Sequence, residues 1–289
     1  MIKKKITAIV TVIGLIIAMT ACGNKTANIS KPKVDISKYG SDVQQIVNRG
    51  VLHIGVKNNV KNFGYQDLIT GKFSGLEVDI AKKIADDLGI KVEYTTVTAA
   101  TRGQLIDSRD LDAVLATFTI TDERKQYWDF STPYYTDHVS VLVEKSSNIT
   151  TAKQLLNKTV AVSSGSGSAK ALVEEMIKEK LIDGSGYKSE TFDPSTWNTG
   201  VKFRQYDDYP TISTALSAGE VDAFCVDKSI LNIYRTSGRN YIEQEFSPQN
   251  YGIVTAKGSG FSKFCEDEIQ KWKKDGTLKK LIEQNKLNE

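Results

Sequence analysis

Three threonines and an arginine in the middle of the chain carry groups that could bind an anion. Thr117, Thr119 and Thr121 occupy alternate positions after the segment 112–116, Asp-Ala-Val-Leu-Ala, and Arg124 follows three residues later. Residues 112–116 read as a short buried strand, so the threonines lie where that strand ends. A guanidinium beside hydroxyl groups and free backbone N–H groups is suited to holding a carboxylate. We therefore predict that this corner captures an organic anion.

The residues around Arg124 also predict the start of a helix. Thr121 is a favourable N-cap, and Asp122 and Glu123 would lie in the first turn, where acidic side chains suit the positive end of the helix dipole. The alternative to an anion site is that Arg124 is a solvated helix residue paired with Asp122, Glu123 or Asp129. Residue type alone favours this alternative, so support for an anion site must come from the rest of the chain.

A short motif occurs twice and suggests a second half of similar design. Leu-Asp-Ala-Val at 111–114 is echoed by Val-Asp-Ala-Phe at 221–224, and five residues after each aspartate come Thr117 and Asp227. Both positions are expected at the carboxyl end of a parallel strand, which is where open α/β sheets bind ligands. Two such lobes facing each other would place an anion site opposite a single carboxylate. An amino-acid zwitterion needs this arrangement.

Strands and helices alternate along the chain, which predicts an α/β fold with parallel strands and helices on both faces of each sheet. Predicted strands include 50–57, 90–95, 112–116 and 139–143, and predicted helices include 41–48, 103–108 and 169–179. Lys57 ends the first strand, and Arg102 and Tyr209 stand at the start of the helices that precede the two motifs. The backbone N–H groups of the small-residue loop 163–168 could line an anion, although a flexible loop is the alternative.

The N-terminus predicts an export signal with a lipid attachment site. Lysines at 3–5 precede an apolar run, 6–19, that is too short to span a bilayer comfortably, and small residues lead to Cys22. We predict cleavage of residues 1–21 and acylation of Cys22, which would hold the protein at the membrane. Residues 22–39 predict a flexible tether. The alternative is a cytosolic protein with an apolar first helix.

Charge and composition exclude several classes of function. The chain has 38 basic and 35 acidic residues, and removal of residues 1–21 would take away three lysines and no acid. A mature chain without net charge argues against nucleic acid as a partner. With two histidines, and two cysteines beyond Cys22, the sequence contains no metal-ligand cluster and no Ser-His-Asp arrangement. We therefore expect no metal and no cofactor, and we expect the two later cysteines to be free buried thiols.

Several segments together resemble the extracellular solute-binding proteins of polar amino-acid ABC importers. The matching segments are 75–79, 116–124, 130–135, 221–227 and 275–281. The chain is most similar to the aspartate/glutamate-binding members, through Lys57, 101–103, 208–210, 227–231 and 248–255. The resemblance implies a type II periplasmic-binding-protein-like fold of two lobes, each a mixed sheet flanked by helices, hinged by two crossing strands. Lobe 1 would comprise 40–136 and 252–289, and lobe 2 would comprise 138–251.

The resemblance also implies roles for the residues that would hold the ligand's amino-acid group. Arg124, with the hydroxyl and amide of Thr119, would hold the α-carboxylate. Asp227, helped by the carbonyl of Thr117, would take the α-ammonium.

The second lobe departs from the family pattern in two places. Gly167 stands where many relatives have a threonine that contacts the carboxylate, so only its N–H can serve, with Ser166 and Ser168 as possible substitutes. The segment 184–201 is longer than the usual connection, and we assign it no function from sequence.

By the same resemblance, the ligand side chain would meet Lys57, Arg102 and Tyr209. Charge supports an acidic ligand independently, because Lys57, Arg102 and Arg124 give three positive groups against Asp227. Glutamate or aspartate brings two negative groups and one positive group. An unpaired buried charge costs several kcal/mol, so this match matters in a closed cleft.

We therefore expect a monomeric, lipid-anchored binding protein on the extracytoplasmic face of the cell membrane. It would capture glutamate or aspartate by hinge closure and deliver the amino acid to an ABC permease. Glutamine or another polar amino acid is the alternative ligand. A dehydratase-like enzyme on the same fold is a further alternative, but it would need a free acid or base, and only Glu77 and Asp227 are placed near the cleft.

Overall fold

The computed structural model describes residues 30–287. The predicted signal peptide, 1–21, and the predicted lipidation site, Cys22, lie outside these residues. Within 30–287, no helix has both the length and the apolar composition needed to cross a membrane.

The first lobe is built on a five-stranded sheet. Its strands are β1 (Val51–Val56), β5 (Lys91–Thr96), β6 (Ala113–Leu115), β7 (Trp128–Phe130) and β14 (Val254–Ala256). Their order in the sheet is β5-β1-β6-β14-β7. β1 is parallel to β5 and β6, whereas β14 is antiparallel to β6 and β7. The sheet is mixed because β14 returns from the second sheet near the end of the chain.

Helices and a small antiparallel sheet complete this lobe. The helices are α1 (Ser41–Arg49), α2 (Leu76–Leu88), α3 (Arg102–Asp107), α7 (Gly260–Lys274) and α8 (Thr277–Gln284), and the small sheet contains β2 (Asn59–Val60), β3 (Gly64–Gln66) and β4 (Phe73–Ser74). In α2, Ile80, Ile84 and Leu88 recur at helical spacing and are fully buried. Gly89 ends α2 at φ 71°, a left-handed conformation that glycine adopts without steric cost.

The second lobe is built on a six-stranded sheet. Its strands are β8 (Tyr135–Glu144), β9 (Thr159–Ser163), β10 (Lys202–Tyr206), β11 (Ala223–Asp227), β12 (Arg239–Tyr241) and β13 (Phe246–Tyr251), and its helices are α4 (Ser168–Lys178), α5 (Tyr209–Ser217) and α6 (Lys228–Leu231). The strand order is β10-β9-β11-β8-β12, with β13 also paired to β8. Every residue of β11 is buried, as expected for a central strand covered on both faces.

Two strands cross between the lobes, and they pair with each other. β8 and β13 are antiparallel, with Tyr135 opposite Tyr251 and His138 opposite Pro248. One sheet therefore takes its strands from 51–130 and 254–256, and the other takes them from 135–251. The predicted lobe bounds stay a prediction, because the crossing strands belong to both lobes.

The predicted helix after Thr121 is wrong. Thr121 Oγ1 does accept the backbone N–H of Arg124 at 3.2 Å, but only a single 3-10 turn, Arg124–Gln126, follows. The physical reason is that Trp128 already begins β7, where it pairs with Ala256 of β14. Too few residues remain between Thr121 and this strand for an α-helix.

The predicted flexible tether, 22–39, extends too far. Ser30 and Lys33 donate backbone hydrogen bonds to Gly89 and Asp87, each at 2.9 Å, at the end of α2. Tyr39 packs edge-on against Phe264 of α7, with ring centroids 5.1 Å apart. Residues 30–39 therefore lie against the first lobe, and residues 22–29 are outside the described part.

Candidate ligand-binding site

Five predicted site residues occupy the ends of strands or the starts of helices, where the topology brings them together. Lys57 follows β1, Thr117 follows β6, Asp227 ends β11, and Arg102 and Tyr209 begin α3 and α5. All five line one cavity between the lobes, which has a volume of about 10 Å³. Ser166, Gly167, Ser168, Thr119 and Gln249 line it too. A volume of roughly 10–15 Å³ holds one water molecule, so the lobes or the lining side chains must move before an amino acid can enter.

The side chain of Lys57 is buried in the wall of this cavity. Its Nζ donates to Thr117 Oγ1 at 2.7 Å and to the hydroxyl of Tyr209 at 2.5 Å. Burial, followed by the nearby charge of Arg102, lowers the pKa of Lys57 to about 7. A carboxylate placed beside Lys57 would favour the charged ammonium and oppose this shift.

Arg102 is buried beside Thr117. Its guanidinium carbon lies 3.8 Å from the ring centre of Phe118, and its Nη1 donates to the carbonyl oxygens of Ala116 and Thr117 at 2.5 and 3.0 Å. Burial lowers the pKa of Arg102, but an arginine remains charged. Its Nε has no partner among residues 30–287, which leaves one buried donor open to a ligand.

Thr117 adopts φ 45°, which is unusual for a β-branched residue. Its carbonyl already accepts Arg102, and its N–H donates to Glu77 Oε1 at 2.5 Å. Tyr134 donates to the same oxygen of Glu77 at 2.5 Å. Burial raises the pKa of Glu77. Glu77 therefore holds the Thr117 backbone from behind and is not among the described residues that line the cavity.

Arg124 lies beside the inner cavity rather than in its lining. It is half-buried in a wider cleft that shares Thr119, Ser166, Gly167 and Gln249 with the cavity. Its Nη1 donates to the Thr119 carbonyl at 2.9 Å, and its Nη2 donates to the Gly165 carbonyl of the other lobe at 3.4 Å. The Thr119 hydroxyl donates to Gln249 Oε1 at 2.7 Å. Arg124 and Thr119, which we predict to bind an anion, therefore lie together at the border between the cleft and the cavity.

Asp227 meets two residues that the sequence analysis did not find. The hydroxyl of Tyr251, the last residue of β13, lies 2.5 Å from Asp227 Oδ2 and 3.1 Å from Asp137 Oδ2. All three side chains are buried, and we call them the Asp137–Tyr251–Asp227 cluster. Burial raises the pKa of both carboxyl groups. Asp137 belongs to no motif, and Tyr251 lies in the segment 248–255 without a role assigned to it, so residue spacing gave no signal for the cluster.

The inserted segment 184–201 forms one wall of the wider cleft. Ser189, Glu190, Phe192 and Pro194 line it opposite Glu123 and Arg124. On the same side of the second lobe, Lys170 of α4 reaches across to Glu123 with 3.7 Å between Nζ and Oε2. The segment 184–201, to which we assigned no function from sequence, therefore borders the cleft next to the cavity.

Two α/β lobes, two crossing strands and a polar cavity between the lobes define a type II periplasmic binding protein. The sequence of this chain matches the model of bacterial extracellular solute-binding proteins, family 3, over residues 52–287. The chain belongs to this family.

Known relatives cover most of the chain. It is 31% identical to the ABC transporter glutamine-binding protein GlnH of Bacillus subtilis, over 90% of this chain and 89% of that protein. It is also 31% identical to the L-cystine-binding protein TcyJ of Escherichia coli, over 83% and 84% respectively. Among solved structures, an ancestral arginine-binding protein bound to arginine has a TM-score of 0.68 at 30% identity, over 82% of this chain and 98% of that one. These relatives bind different amino acids.

Proposed function

We propose that this chain is the substrate-binding component of an amino-acid ABC importer and that it captures glutamate or aspartate between its lobes. The observation that supports an acidic ligand is the composition of the cavity lining, in which Lys57 and Arg102 are basic and Asp227 is acidic. An acidic amino acid has two carboxylates and one ammonium. Each charge of such a ligand has an oppositely charged residue on the cavity wall or at its border, where Arg124 lies.

The α-carboxylate is assigned to the border between cavity and cleft. Among residues 30–287, Arg124 makes only one short side-chain hydrogen bond there, to Thr119, and its contact with Gly165 is long. Ser166 Oγ is buried without a hydrogen-bond partner in the described chain. The N–H groups of Gly167 and Ser168 begin α4, where backbone donors are free. A carboxylate bound here would satisfy several of these donors at once.

The ligand side chain is assigned to Lys57, Arg102 and Tyr209, and the α-ammonium to Asp227. Lys57 and Tyr209 are already bonded to each other, so a carboxylate would insert beside an existing pair. The unpartnered Nε of Arg102 is a second donor on this side. An unsatisfied buried donor costs about 1–3 kcal/mol, and a ligand oxygen would remove that cost. The carbonyl of Thr117 accepts Arg102 and has a second lone pair left for the ammonium.

The location and partners of the protein rest on the family and on the sequence before residue 30. We propose that residues 1–21 direct export, that Cys22 carries the lipid anchor on the extracytoplasmic face, and that a monomer delivers ligand to a membrane permease. In this proposal, Cys22→Ser releases the protein from cells into the medium. Unchanged partition of that variant into detergent would contradict the anchor.

Glutamine is the second candidate ligand, because Lys57 with a pKa of about 7 is partly neutral at physiological pH. An enzyme is less well supported. It needs a free acid or base, whereas Asp227 is bonded to Tyr251 and Glu77 stands behind Thr117. Turnover of amino or keto acids by the purified protein would overturn the proposal that it is a binding protein.

Calorimetry with glutamate, aspartate, glutamine, asparagine, arginine and cystine tests the ligand class. We expect the two acids to bind at least about tenfold more tightly than their amides, which corresponds to about 1.4 kcal/mol. An amide cannot use Lys57 and Arg102 as fully as a carboxylate does. Equal or tighter binding of glutamine would contradict the acidic assignment and leave an amino-acid binding protein. Failure of every amino acid to bind would contradict the wider proposal.

A further inference from the structure

The Asp137–Tyr251–Asp227 cluster lies where the crossing strands meet the second sheet. Asp137 is on β8, Tyr251 ends β13, and Asp227 ends β11. Tyr251 is held in place independently of its hydroxyl group, because its ring stacks on Tyr135 and meets Phe63 edge-on, with ring centroids 6.1 and 5.7 Å apart. Its oxygen is therefore fixed between the two carboxyl groups.

The number of protons in this cluster decides its charge. A phenol has one proton to donate, and an ionised carboxylate can only accept hydrogen bonds. Tyr251 contacts both carboxyl groups, at 2.5 and 3.1 Å. With Asp137 and Asp227 both ionised, one of these contacts would join two acceptors in a buried place, which is costly. One further proton therefore belongs to the cluster.

Hydrogen bonds from the backbone decide which carboxyl group holds that proton. Asp137 accepts the N–H groups of His138 at 2.8 Å and of Ser229 at 3.1 Å. The Asp227 side chain has no hydrogen-bond partner except Tyr251 among residues 30–287. Donors to a carboxylate favour its ionised form, so Asp137 is the anion. The proton then lies on Asp227, which donates to Tyr251, and Tyr251 donates to Asp137.

Neighbouring charges act on Asp227 from both lobes. Burial, followed by the charge of Asp137, raises the pKa of Asp227 to about 7, even though the hydrogen bond that Tyr251 can donate to the ionised form of Asp227 and the charges of Lys57 and Arg102 lower it. The charged and titratable groups that interact with the two carboxyl groups are Lys57 after β1, Arg102 of α3, Arg124 after β6, Tyr209 of α5, Cys225 of β11, Tyr251 of β13, Tyr135 of β8 and Tyr241 of β12. The cations do not cancel the effects of burial and of Asp137.

We propose that Asp227 holds a proton in the empty cleft and that the α-ammonium of an arriving amino acid displaces it. The Oδ2–H bond of Asp227 breaks, the proton leaves to water, and the carboxylate accepts an N–H of the ammonium. This inference rests on the proposed role of Asp227 as the ammonium site. Asp137 is then a positioning residue that sets how firmly the proton is held, and capture of an amino acid releases a proton.

Calorimetric titration of the whole protein with L-glutamate, in buffers of different ionisation enthalpy, measures the protons exchanged. At about pH 6, Lys57 is largely protonated already and takes up little, so we expect a release approaching one proton per ligand. At about pH 8, Asp227 has lost its proton and the release disappears. Glutamate binding without proton release at about pH 6 would overturn the inference and leave the proposed function intact. If neither glutamate nor any other amino acid binds, the result contradicts both the inference and the proposed function.

Asp137→Asn provides the decisive variant. Removal of the Asp137 charge lowers the pKa of Asp227, so the number of protons released per ligand at about pH 6 should be at least halved. Any proton uptake by Lys57 occurs equally in the wild type and in Asp137→Asn, so it does not affect this comparison. Asp183→Asn is the matched control, because Asp183 is exposed and its side chain bonds only to Ser185 in the described chain. We expect full release from the control. Full release from Asp137→Asn would contradict the role of Asp137, and the wild-type pH series decides alone if this variant does not fold.

Discussion

The Nζ atom of Lys57 lies 2.5 Å from the hydroxyl oxygen of Tyr209, although the first residue follows β1 in one lobe and the second begins α5 in the other. A second contact between the lobes joins Arg124 and Gly165 at 3.4 Å. The two walls of the cavity therefore touch through the same side chains that we assign to the ligand. Recognition and lobe closure use common groups in this arrangement.

Lys57→Met should remove the preference for acidic ligands. Methionine keeps the length of the side chain but has no charge, so glutamate should lose at least about tenfold in affinity and glutamine less than about threefold. Lys57 is a cleaner choice than Arg102, which also holds the carbonyl groups of Ala116 and Thr117. Calorimetry with both ligands checks the prediction. Equal losses for the two amino acids would show that Lys57 does not contact the side chain.

The preference for glutamate over glutamine should depend on pH. Lys57 is cationic below its pKa of about 7 and neutral above it. The ratio of the two affinities should therefore be highest below about pH 6 and fall as the pH rises through 7. Asp227 acts on the ammonium group that both ligands share, so its titration cancels in the ratio. Titrations at about pH 5.5, 7 and 8.5 measure it, and a ratio that increases with pH would contradict the assignment.

Arg124→Ala should weaken the binding of every amino acid by at least about a hundredfold, because all of them share the α-carboxylate. Lys125→Ala is the matched control, since Lys125 is exposed and its Nζ pairs with Asp122 at 3.2 Å. We expect affinities within about twofold of wild type for the control. Selective loss of acidic ligands in Arg124→Ala would instead place the ligand side chain beside this arginine.

Gly165→Ala should impede closure of the lobes. Gly165 has φ 73°, and a Cβ atom on it would lie 2.7 Å from the carbonyl oxygen of Ala99 in the other lobe. We expect all ligands to lose at least about tenfold in affinity. In small-angle X-ray scattering, the variant should not become more compact with ligand.

Gly219→Ala separates this effect from backbone strain. Gly219 has φ 70°, but an added Cβ would meet no described atom within 4 Å. Both variants should lose about 1 kcal/mol of folding stability from the left-handed backbone. Only Gly165→Ala should lose affinity. Similar affinities in the two variants would show that the close approach of Gly165 and Ala99 is not needed for binding.

The sequence predicted which residues meet when topology alone sets their position. Lys57, Thr117 and Asp227 follow or end strands, and Arg102 and Tyr209 begin helices, as the alternation of strands and helices predicted. The family resemblance added that these residues share one ligand site, and all five line one cavity. Both cysteines, Cys225 and Cys265, are buried and unpaired within the described chain, as expected.

The sequence did not predict contacts that depend on the register of paired strands, or a segment in which a helix and a strand compete for the same residues. Asp137 and Gln249 face each other on β8 and β13, and their meeting depends on a pairing between distant strands that no local pattern encodes. The helix predicted after Thr121 does not form because β7 begins there, and β7 pairs with β14, which lies far along the chain. The lining role of Phe192 and Pro194 required the path of an irregular segment.

The pairing of β8 with β13 has a consequence for how motion of this molecule can be followed. The two connections between the lobes are paired along Tyr135–His138 and Pro248–Tyr251, so we expect them to bend together when the lobes move. A single pair of fluorescent dyes, one on each lobe and away from the cleft, would then follow this joint bending. The same pair would make the protein an optical sensor for its solute.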